Sequence, residues 1–190
     1  VCNNQRVGGN NNWGYESNIF VNNGIAEFSM YSDSDPLHPL RGAEIYANYP
    51  MHYGKYFARM KAEAGTGATT GYFTYLERPE EGLNGNNLQE IDIEIFGESA
   101  NQVDFTVWYN EPSVNGSTGI GKRLTAHVEV DTTVWHEYGF DWQSDYISFY
   151  IDGEIAHLRV EYVNSLGKRV YLKSGGPIQS QIRREDFALV

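Results

Sequence analysis

The sequence predicts an all-β protein, a sandwich or jelly roll of antiparallel sheets. Many short segments alternate apolar and polar residues, turn residues separate them, and no helical period, linker or internal repeat interrupts the pattern. Alternation with a period of two indicates strands with one face in a core. A chain of 190 residues with 41% hydrophobic and 14% aromatic residues is long enough to bury such a core. We therefore expect a single domain over residues 1–190.

The order of the elements follows from the alternating segments and the breakers between them. Asn and Gly dominate residues 1–15, which we expect to be irregular, and Ser, Asp and Pro make 31–40 a loop. Asn-Gly at 23–24 and Asp-Gly at 152–153 are hairpin turns. Turns or loops are also expected at 64–67, 77–88 and 174–181. The expected strands lie on both sides of 23–24 and at 53–61, 70–76, 89–97, 102–109, 135–142, 146–151, 155–160, 170–172 and 186–190.

Charge and cysteine content bear on the partners and the compartment. With 14 Lys and Arg against 25 Asp and Glu, the formal net charge is −11, which argues against nucleic acid and anionic membranes as partners. The single cysteine, Cys2, excludes an intrachain disulfide. No run approaches the roughly 18 apolar residues of a membrane span. Residue 1 does not begin a signal peptide, as expected for a secreted protein whose signal has been removed.

The stretch 89–97 is the segment most informative about function. Its three isoleucines point to one side of a strand and its three carboxylates to the other, and no basic residue within the run neutralises them. An ordinary solvated strand gains nothing from such repulsion, whereas the floor of a catalytic cleft can use it. The isoleucines are Ile91, Ile93 and Ile95; the carboxylates are Glu90, Asp92 and Glu94.

Paired carboxyl groups are the chemistry of glycosidic bond hydrolysis. One group acts as nucleophile or base and the other as proton donor, and in retaining enzymes they stand about 5–5.5 Å apart. At about 3.3 Å per residue, the α-carbons of Glu90 and Glu94 are about 13 Å apart, so their side chains would have to lean together. Asp92 between them would raise a neighbouring pKa and favour a protonated general acid. A Ca²⁺ site and a solvated face are the alternative interpretations.

Residues 90–94 resemble the active-site signature E-[ILV]-D-[IV]-E of glycoside hydrolase family 16. The segments 42–44, 53–61 and 71–75 resemble the strands before that signature, and 135–142 and 150–153 those after it, so the resemblance covers about residues 13–158. It implies a β-jelly-roll sandwich of two antiparallel sheets with a concave substrate cleft. It also implies endo-acting cleavage of a β-linked polysaccharide with retention.

The same resemblance implies a role for each carboxylate. Glu90 would be the nucleophile, Glu94 the acid/base, and Asp92 the group that orients Glu90 and tunes the proton balance. No cofactor is required; family members often carry a structural Ca²⁺ on the convex face, for which this sequence assigns no ligands. We expect a monomer whose partner is a polysaccharide, acting outside the cell or in a periplasm because cells do not easily import such polymers.

The motif strand carries no inserted residue before its last Glu, which resembles the lichenase and xyloglucan-transferase branch. A mixed-linkage β-1,3-1,4-glucan is therefore the leading substrate. The sequence departs from lichenases at 45–46, where they have Tyr-Arg, at 88–89, where they have an aromatic residue, and at 170–173. For the aromatic candidates, alternation leaves core packing as the other interpretation. The substrate-binding candidates are Glu44, Tyr46, Phe73, Tyr75 and Trp108.

Three alternatives to hydrolysis of that glucan remain open. A transglycosylase would pass the sugar to a hydroxyl group, and an endo-hydrolase could act on laminarin or a marine galactan. A non-catalytic carbohydrate-binding sandwich would have no use for two intact carboxylates. We interpret His127 and His136 as structural hydrogen-bonding residues, and the basic pairs at 122–123 and 183–184 as solvated surface.

Overall fold

The computed structural model describes residues 5–6, 12–14, 16–36, 39–45, 47, 51–76, 89–111, 120–143, 147–156, 161–163 and 169–171. Apart from short 3₁₀ turns, every regular element in these ranges is a β-strand, which confirms the all-β prediction. The chain forms two compact units, residues 1–50 and 51–190. No helix in the described ranges is long and apolar enough to cross a membrane.

The described part of the first unit contains six short strands, which are β1 Gln5–Arg6, β2 Asn12–Gly14, β3 Ile19–Asn22, β4 Ile25–Phe28, β5 Tyr31–Ser32 and β6 Leu40–Gly42. The Asn-Gly prediction is confirmed, because Asn23 (φ 49°) and Gly24 (φ 78°) form the turn between β3 and β4. Strands β1, β2, β6 and β5 form a small sheet in that order. We expected residues 1–15 to be irregular and residues 31–40 to form a loop. Both predictions were wrong in part, because β1 and β2 lie in the first range, and β5 and the start of β6 lie in the second. Strands of two or three residues are too short to show alternation.

In the described residues, the second unit contains a sandwich of two four-stranded antiparallel sheets. The first sheet has the order β11-β10-β9-β8, the second the order β14-β13-β12-β7, and β15 pairs with β16. Its strands are β7 Gly54–Met60, β8 Thr69–Leu76, β9 Gln89–Phe96, β10 Gln102–Glu111, β11 Ile120–Glu129, β12 His136–Trp142, β13 Ile147–Ile151, β14 Glu154–Ile155, β15 Glu161–Val163 and β16 Arg169–Tyr171.

The core lies between these two sheets. Alternate residues of β9 and β10 face alternate residues of β12 and β13, and the rings of Phe105 and Phe149 are 4.7 Å apart. Burying each such side chain contributes about 1.5–3 kcal/mol. The opposite face of the first sheet therefore carries the intervening polar residues of β9 and β10. The fully buried large side chains include Ile91, Ile93, Ile95, Val103, Phe105, Val107, Tyr138, Phe140, Trp142, Ile147 and Phe149.

Most expected strands of this unit are confirmed, one ends early, and two observed strands were not expected. The turn at 152–153 is confirmed by positive φ at Asp152 and Gly153. Strands β11 and β15 were not expected, and the basic pair near the start of β11 was interpreted only as surface. The strand expected over 155–160 ends at Ile155, and 157–160 lie outside the described residues. The predictions for 77–88, 174–181, 183–184 and 186–190 also fall outside them.

Gly97 directly follows β9 and packs against the connection between β7 and β8. Its N–H donates to the Ala68 carbonyl at 2.8 Å, and its carbonyl accepts from the Gly65 N–H at 3.0 Å. A Cβ atom on Gly97 would lie 2.1 Å from the Gly65 carbonyl oxygen. Only glycine permits this approach, which holds the end of the carboxylate-bearing strand.

Candidate active site

The three predicted catalytic carboxylates project from β9 on the face of the first sheet opposite the core, which we call the carboxylate face. Because Ile91, Ile93 and Ile95 occupy the core side, alternation leaves no other orientation for Glu90, Asp92 and Glu94. Strands β8 and β10 flank β9, and β11 lies beyond β10, so each carboxylate belongs to a row of four residues. The rows are Tyr75–Glu90–Trp108–Arg123, Phe73–Asp92–Thr106–Thr125 and Gly71–Glu94–Asp104–His127.

Asp92 is the most buried of the three carboxylates, with 3% of its surface exposed. Trp108 donates its Nε1–H to Oδ2 of Asp92 at 3.0 Å. Burial, followed by the charge of Glu90 and a hydrogen bond with it, raises the pKa of Asp92 to about 9, and Trp108 opposes part of that rise. Asp92 therefore holds a proton at neutral pH.

Glu90 is half-buried and accepts a hydrogen bond from the protonated Asp92. Burial raises the pKa of Glu90 to about 7, the hydrogen bond from Asp92 lowers it, and the charge of Glu94 raises it. The proton of the pair resides on Asp92, because Asp92 is the more deeply buried and has the higher pKa. Glu90 is left as the carboxylate that can attack an electrophile.

Glu94 lies at the other end of the ladder with different neighbours. Burial is the main cause that raises the pKa of Glu94, the negative charge of Asp104 raises it further, and the positive charge of Arg123 lowers it. A carboxyl group whose pKa is raised remains protonated at a higher pH and can act as a general acid. The two glutamates therefore differ in electrostatic environment, with Asp92 between them.

Aromatic side chains flank the carboxylates on both neighbouring strands. Phe73 and Tyr75 of β8 are 43% and 51% exposed, so neither is packed in the core. Trp108 of β10 is half-buried, and the Arg123 guanidinium carbon lies 5.3 Å from its ring centroid. The structure thus brings these three aromatic candidates to the carboxylate face, where their role in sugar binding stays a prediction.

The other two substrate-binding candidates, Glu44 and Tyr46, precede residue 51 in the chain. Glu44 is half-buried and belongs to the unit of residues 1–50, whereas the carboxylates belong to the unit of residues 51–190. Tyr46 lies outside the described residues, as does Leu88. The roles of Glu44 and Tyr46 therefore stay predictions.

Apart from Trp108, the sequence interpretation did not include the residues that β10 and β11 contribute to the site. Asp104 is 7% exposed, and its Oδ1 accepts from Gln102 Nε2 at 2.7 Å and lies 2.7 Å from His127 Nδ1. His127 is thus a hydrogen-bonding residue, as predicted, and Arg123 is exposed, as predicted. The alternation of Arg123, Thr125 and His127 with buried neighbours was the signal that could have placed them on this face.

His136, the other histidine interpreted as structural, is the first residue of β12. His136 Nδ1 lies 2.6 Å from Oδ2 of Asp152, and its Nε2 lies 3.1 Å from the Asp131 carbonyl oxygen, as a structural histidine would.

Within the described ranges, no three His, Cys, Asp or Glu side chains are grouped so that they could hold a metal ion. The carboxylate ladder does not form such a group, and the structural Ca²⁺ stays a prediction without ligands.

Comparison with known proteins places these features in a family context. Residues 7–173 match the family model described as Glycosyl hydrolases family 16. A xylanase/beta-glucanase of Ruminococcus flavefaciens is 33% identical over 151 residues, covering 74% of this chain and 17% of that protein. A beta-glucanase of Paenibacillus polymyxa is 28% identical over 160 residues, covering 84% of this chain and 62% of that protein. The chain thus spans less than two thirds of the length of these relatives.

Solved structures share the fold. A β-1,3-1,4-glucanase (lichenase) derived from a mouse hindgut metagenome superimposes with a TM-score of 0.65 at 27% identity, covering 92% of this chain and 73% of that one. The β-glucanase of Bacillus licheniformis gives a TM-score of 0.66 at 22% identity, covering 93% and 74%. The second similarity shows the fold alone, and both confirm a jelly-roll sandwich.

Proposed function

The chain belongs to glycosyl hydrolases family 16, and on that premise we propose that it is a retaining endo-β-glycanase that hydrolyses a mixed-linkage β-1,3-1,4-glucan. One observation carries the proposal: Glu90 and Glu94 share the carboxylate face, with the protonated Asp92 between them. The lichenase and β-glucanase relatives support the choice of polymer.

The first step forms a covalent glycosyl-enzyme. The ionised carboxylate of Glu90 attacks the anomeric carbon of the sugar while Glu94 donates its proton to the glycosidic oxygen. The bond between that carbon and oxygen breaks, and the downstream chain leaves with a new hydroxyl group. Asp92 remains protonated and hydrogen-bonded to Glu90, which orients the attacking oxygen.

The second step releases the upstream sugar. Glu94, now ionised, accepts a proton from water, and the water oxygen attacks the anomeric carbon. The bond to Glu90 breaks and its electron pair restores the carboxylate, while Glu94 regains the proton that it donated. Two inversions give overall retention, and two carboxyl groups suffice without a cofactor.

Aromatic residues on the carboxylate face would bind the polymer. A ring buries the apolar C–H face of a sugar and leaves the sugar hydroxyl groups free for hydrogen bonds. We assign this contact to Phe73, Tyr75 and Trp108, and further hydroxyl contacts to Glu44 and Tyr46. A polymer of this size does not enter cells, so the enzyme acts outside the cell or in a periplasm. We also propose that it acts as a monomer.

Purified protein tested on barley β-glucan, laminarin, xyloglucan, agarose and carrageenan, with reducing ends as readout, identifies the substrate. We expect barley β-glucan to be cleaved fastest. Faster cleavage of laminarin or a galactan would overturn the substrate, and binding without cleavage of any polymer would identify a binding module. Products longer than the donor, formed with added oligosaccharide acceptor, would identify a transglycosylase.

Substitution of each glutamate tests the two roles. We expect Glu90→Gln and Glu94→Gln to lower kcat on the polymer on the order of 10³-fold or more, whereas Glu137→Gln, an exposed carboxylate on β12, leaves it unchanged. With an activated aryl glycoside and azide, Glu90→Ala should give the α-glycosyl azide by a single displacement. Glu94→Ala should give the β-glycosyl azide, because azide intercepts the glycosyl-enzyme. The opposite products would reverse the assignment.

A further inference from the structure

Asp104 is a buried acidic residue beside the proposed acid/base. It lies opposite Glu94 on one side and opposite His127 on the other, in one row across β9, β10 and β11. Side chains directly opposite each other in antiparallel strands have Cβ atoms about 4.5–5.5 Å apart. Gln102 and His127 both contact Oδ1 of Asp104 at 2.7 Å, so the carboxylate is held in place.

The charges that face Glu94 come from three strands. Its own strand contributes Glu90 and Asp92, β10 contributes Asp104, and β11 contributes Arg123 and His127. From β8 it faces Gly71, which has no side chain. Among these groups Asp104 is the buried acid directly opposite Glu94, and Asp92 holds a proton at neutral pH.

We propose that Asp104 is a positioning residue that keeps Glu94 protonated before the first step, and that Gln102 and His127 hold Asp104 there. The inference rests on the proposed function of Glu94 as acid/base. A fixed negative charge disfavours a second one nearby, and the effect is large where burial lowers the local dielectric. The raised pKa of Glu94, with Asp104 as its largest cause after burial, supports this role.

The same charge assists the second step. Once Glu94 has given up its proton, repulsion from Asp104 makes its carboxylate a stronger base towards water. The row of Glu94, Asp104 and His127 would thus set the upper pH limit of activity.

Asp104→Asn tests the inference, because it removes the charge and keeps the shape. We expect the alkaline limb of the kcat/KM profile to move to lower pH by about one unit. Asp141→Asn is the matched control: Asp141 is also a buried aspartate, held by the glutamine two residues away, but it lies on the second sheet. Its profile should keep the wild-type limb, and an unchanged limb in Asp104→Asn would overturn the inference.

A readout that needs no activity separates this inference from the proposed function. The carboxyl ¹³C signal of Glu94, assigned by comparison with Glu94→Gln, should titrate at lower pH in Asp104→Asn. Such a shift in a protein inactive on every glucan would uphold the inference and overturn the function. Gln102→Lys places an ammonium group beside Asp104. The alkaline limb of the kcat/KM profile and the titration of Glu94 should both move to lower pH in this variant. It therefore tests the effect of the Asp104 charge even if Asp104→Asn fails to fold. Unchanged titration in the folded variants would refute the role of Asp104.

Discussion

Trp108 donates its indole N–H to the Asp92 carboxyl at 3.0 Å across the pairing of β9 and β10. The ring that is a candidate for sugar stacking thus also holds the central member of the carboxylate ladder. On the outer side, the Arg123 guanidinium carbon lies 5.3 Å from the ring centroid. A sequence of contacts therefore links Arg123 on β11 to Trp108, to Asp92 and to Glu90.

Replacing Trp108 with Phe should impair catalysis more than binding. Phe keeps an apolar ring but donates no hydrogen bond, so Asp92 loses a partner that opposes the rise in its pKa. A hydrogen bond to a neutral carboxyl group contributes about 0.5–1.5 kcal/mol, which corresponds to about 2–10-fold in kcat. Steady-state kinetics on barley β-glucan would measure the change, with KM altered much less.

The chain contains a matched control for this substitution. Trp135 precedes β12 and has the Arg59 guanidinium carbon 5.0 Å from its ring, so it reproduces the arginine–tryptophan pair away from the carboxylates. Trp135→Phe should leave kcat at the wild-type value. Equal losses in both variants would contradict a specific role for the Trp108 N–H.

Asp92→Asn should stabilise the protein at alkaline pH. The pKa of Asp92 is about 9 when folded and about 3.9 in an unfolded chain. The unfolded state therefore loses its proton first, and stability falls as pH rises between these two values. An asparagine cannot ionise, so unfolding by urea at pH 8 should show a gain of at least about 1 kcal/mol, roughly the equivalent of one pKa unit, with little change at pH 4.

Asp131→Asn is the control with the opposite sign. Hydrogen bonds from Thr133 lower the pKa of Asp131, which is exposed. Its contribution to stability is present above the unfolded pKa and disappears as pH falls below it. The Asp131→Asn variant should therefore be less stable than the wild type at pH 8, and this difference should be smaller at pH 3. The same pH trend in both variants would show that ionisation of Asp92 is not the cause.

Gly97→Ala should destabilise the fold. The new Cβ would lie 2.1 Å from the Gly65 carbonyl oxygen, a backbone atom that cannot move aside without shifting the connection before β8. Overpacking of this kind costs about 1–3 kcal/mol. Gly65→Ala is the control, because nothing lies within 4 Å of its Cβ position. Urea unfolding of the two variants would test the contact, and similar stabilities would contradict it.

Phe73→Ala and Tyr75→Ala should weaken substrate binding. Both rings are exposed beside the carboxylates, and loss of about 1 kcal/mol of stacking raises KM about 5-fold. Phe57 is 39% exposed but lies on β7 of the second sheet, so Phe57→Ala should leave KM unchanged. The KM of each variant would be measured from its activity at a series of barley β-glucan concentrations. A KM that rises only in Phe57→Ala would place the sugar on the other sheet.

Much of the fold could be predicted because alternation survives in strands of five or more residues. Strands β7, β8, β9 and β10 were located within two residues of their ends, and both hairpin turns had Gly in the position that needs positive φ. The short strands β1, β2, β5 and β6 were missed because two or three residues contain no period. Strand β11 alternates, but its basic pair was interpreted as surface alone.

The sequence by itself determined which side chains of β9 face the core and which face out, because a period of two allows no other arrangement. It thereby brought Glu90, Asp92 and Glu94 to one face. Only the tertiary structure decided that Trp108 contacts Asp92 and that Asp104 and His127 lie in the row of Glu94. Strand order and register depend on packing and on the turns between strands. The environments that distinguish three similar carboxyl groups therefore come from distant parts of the chain.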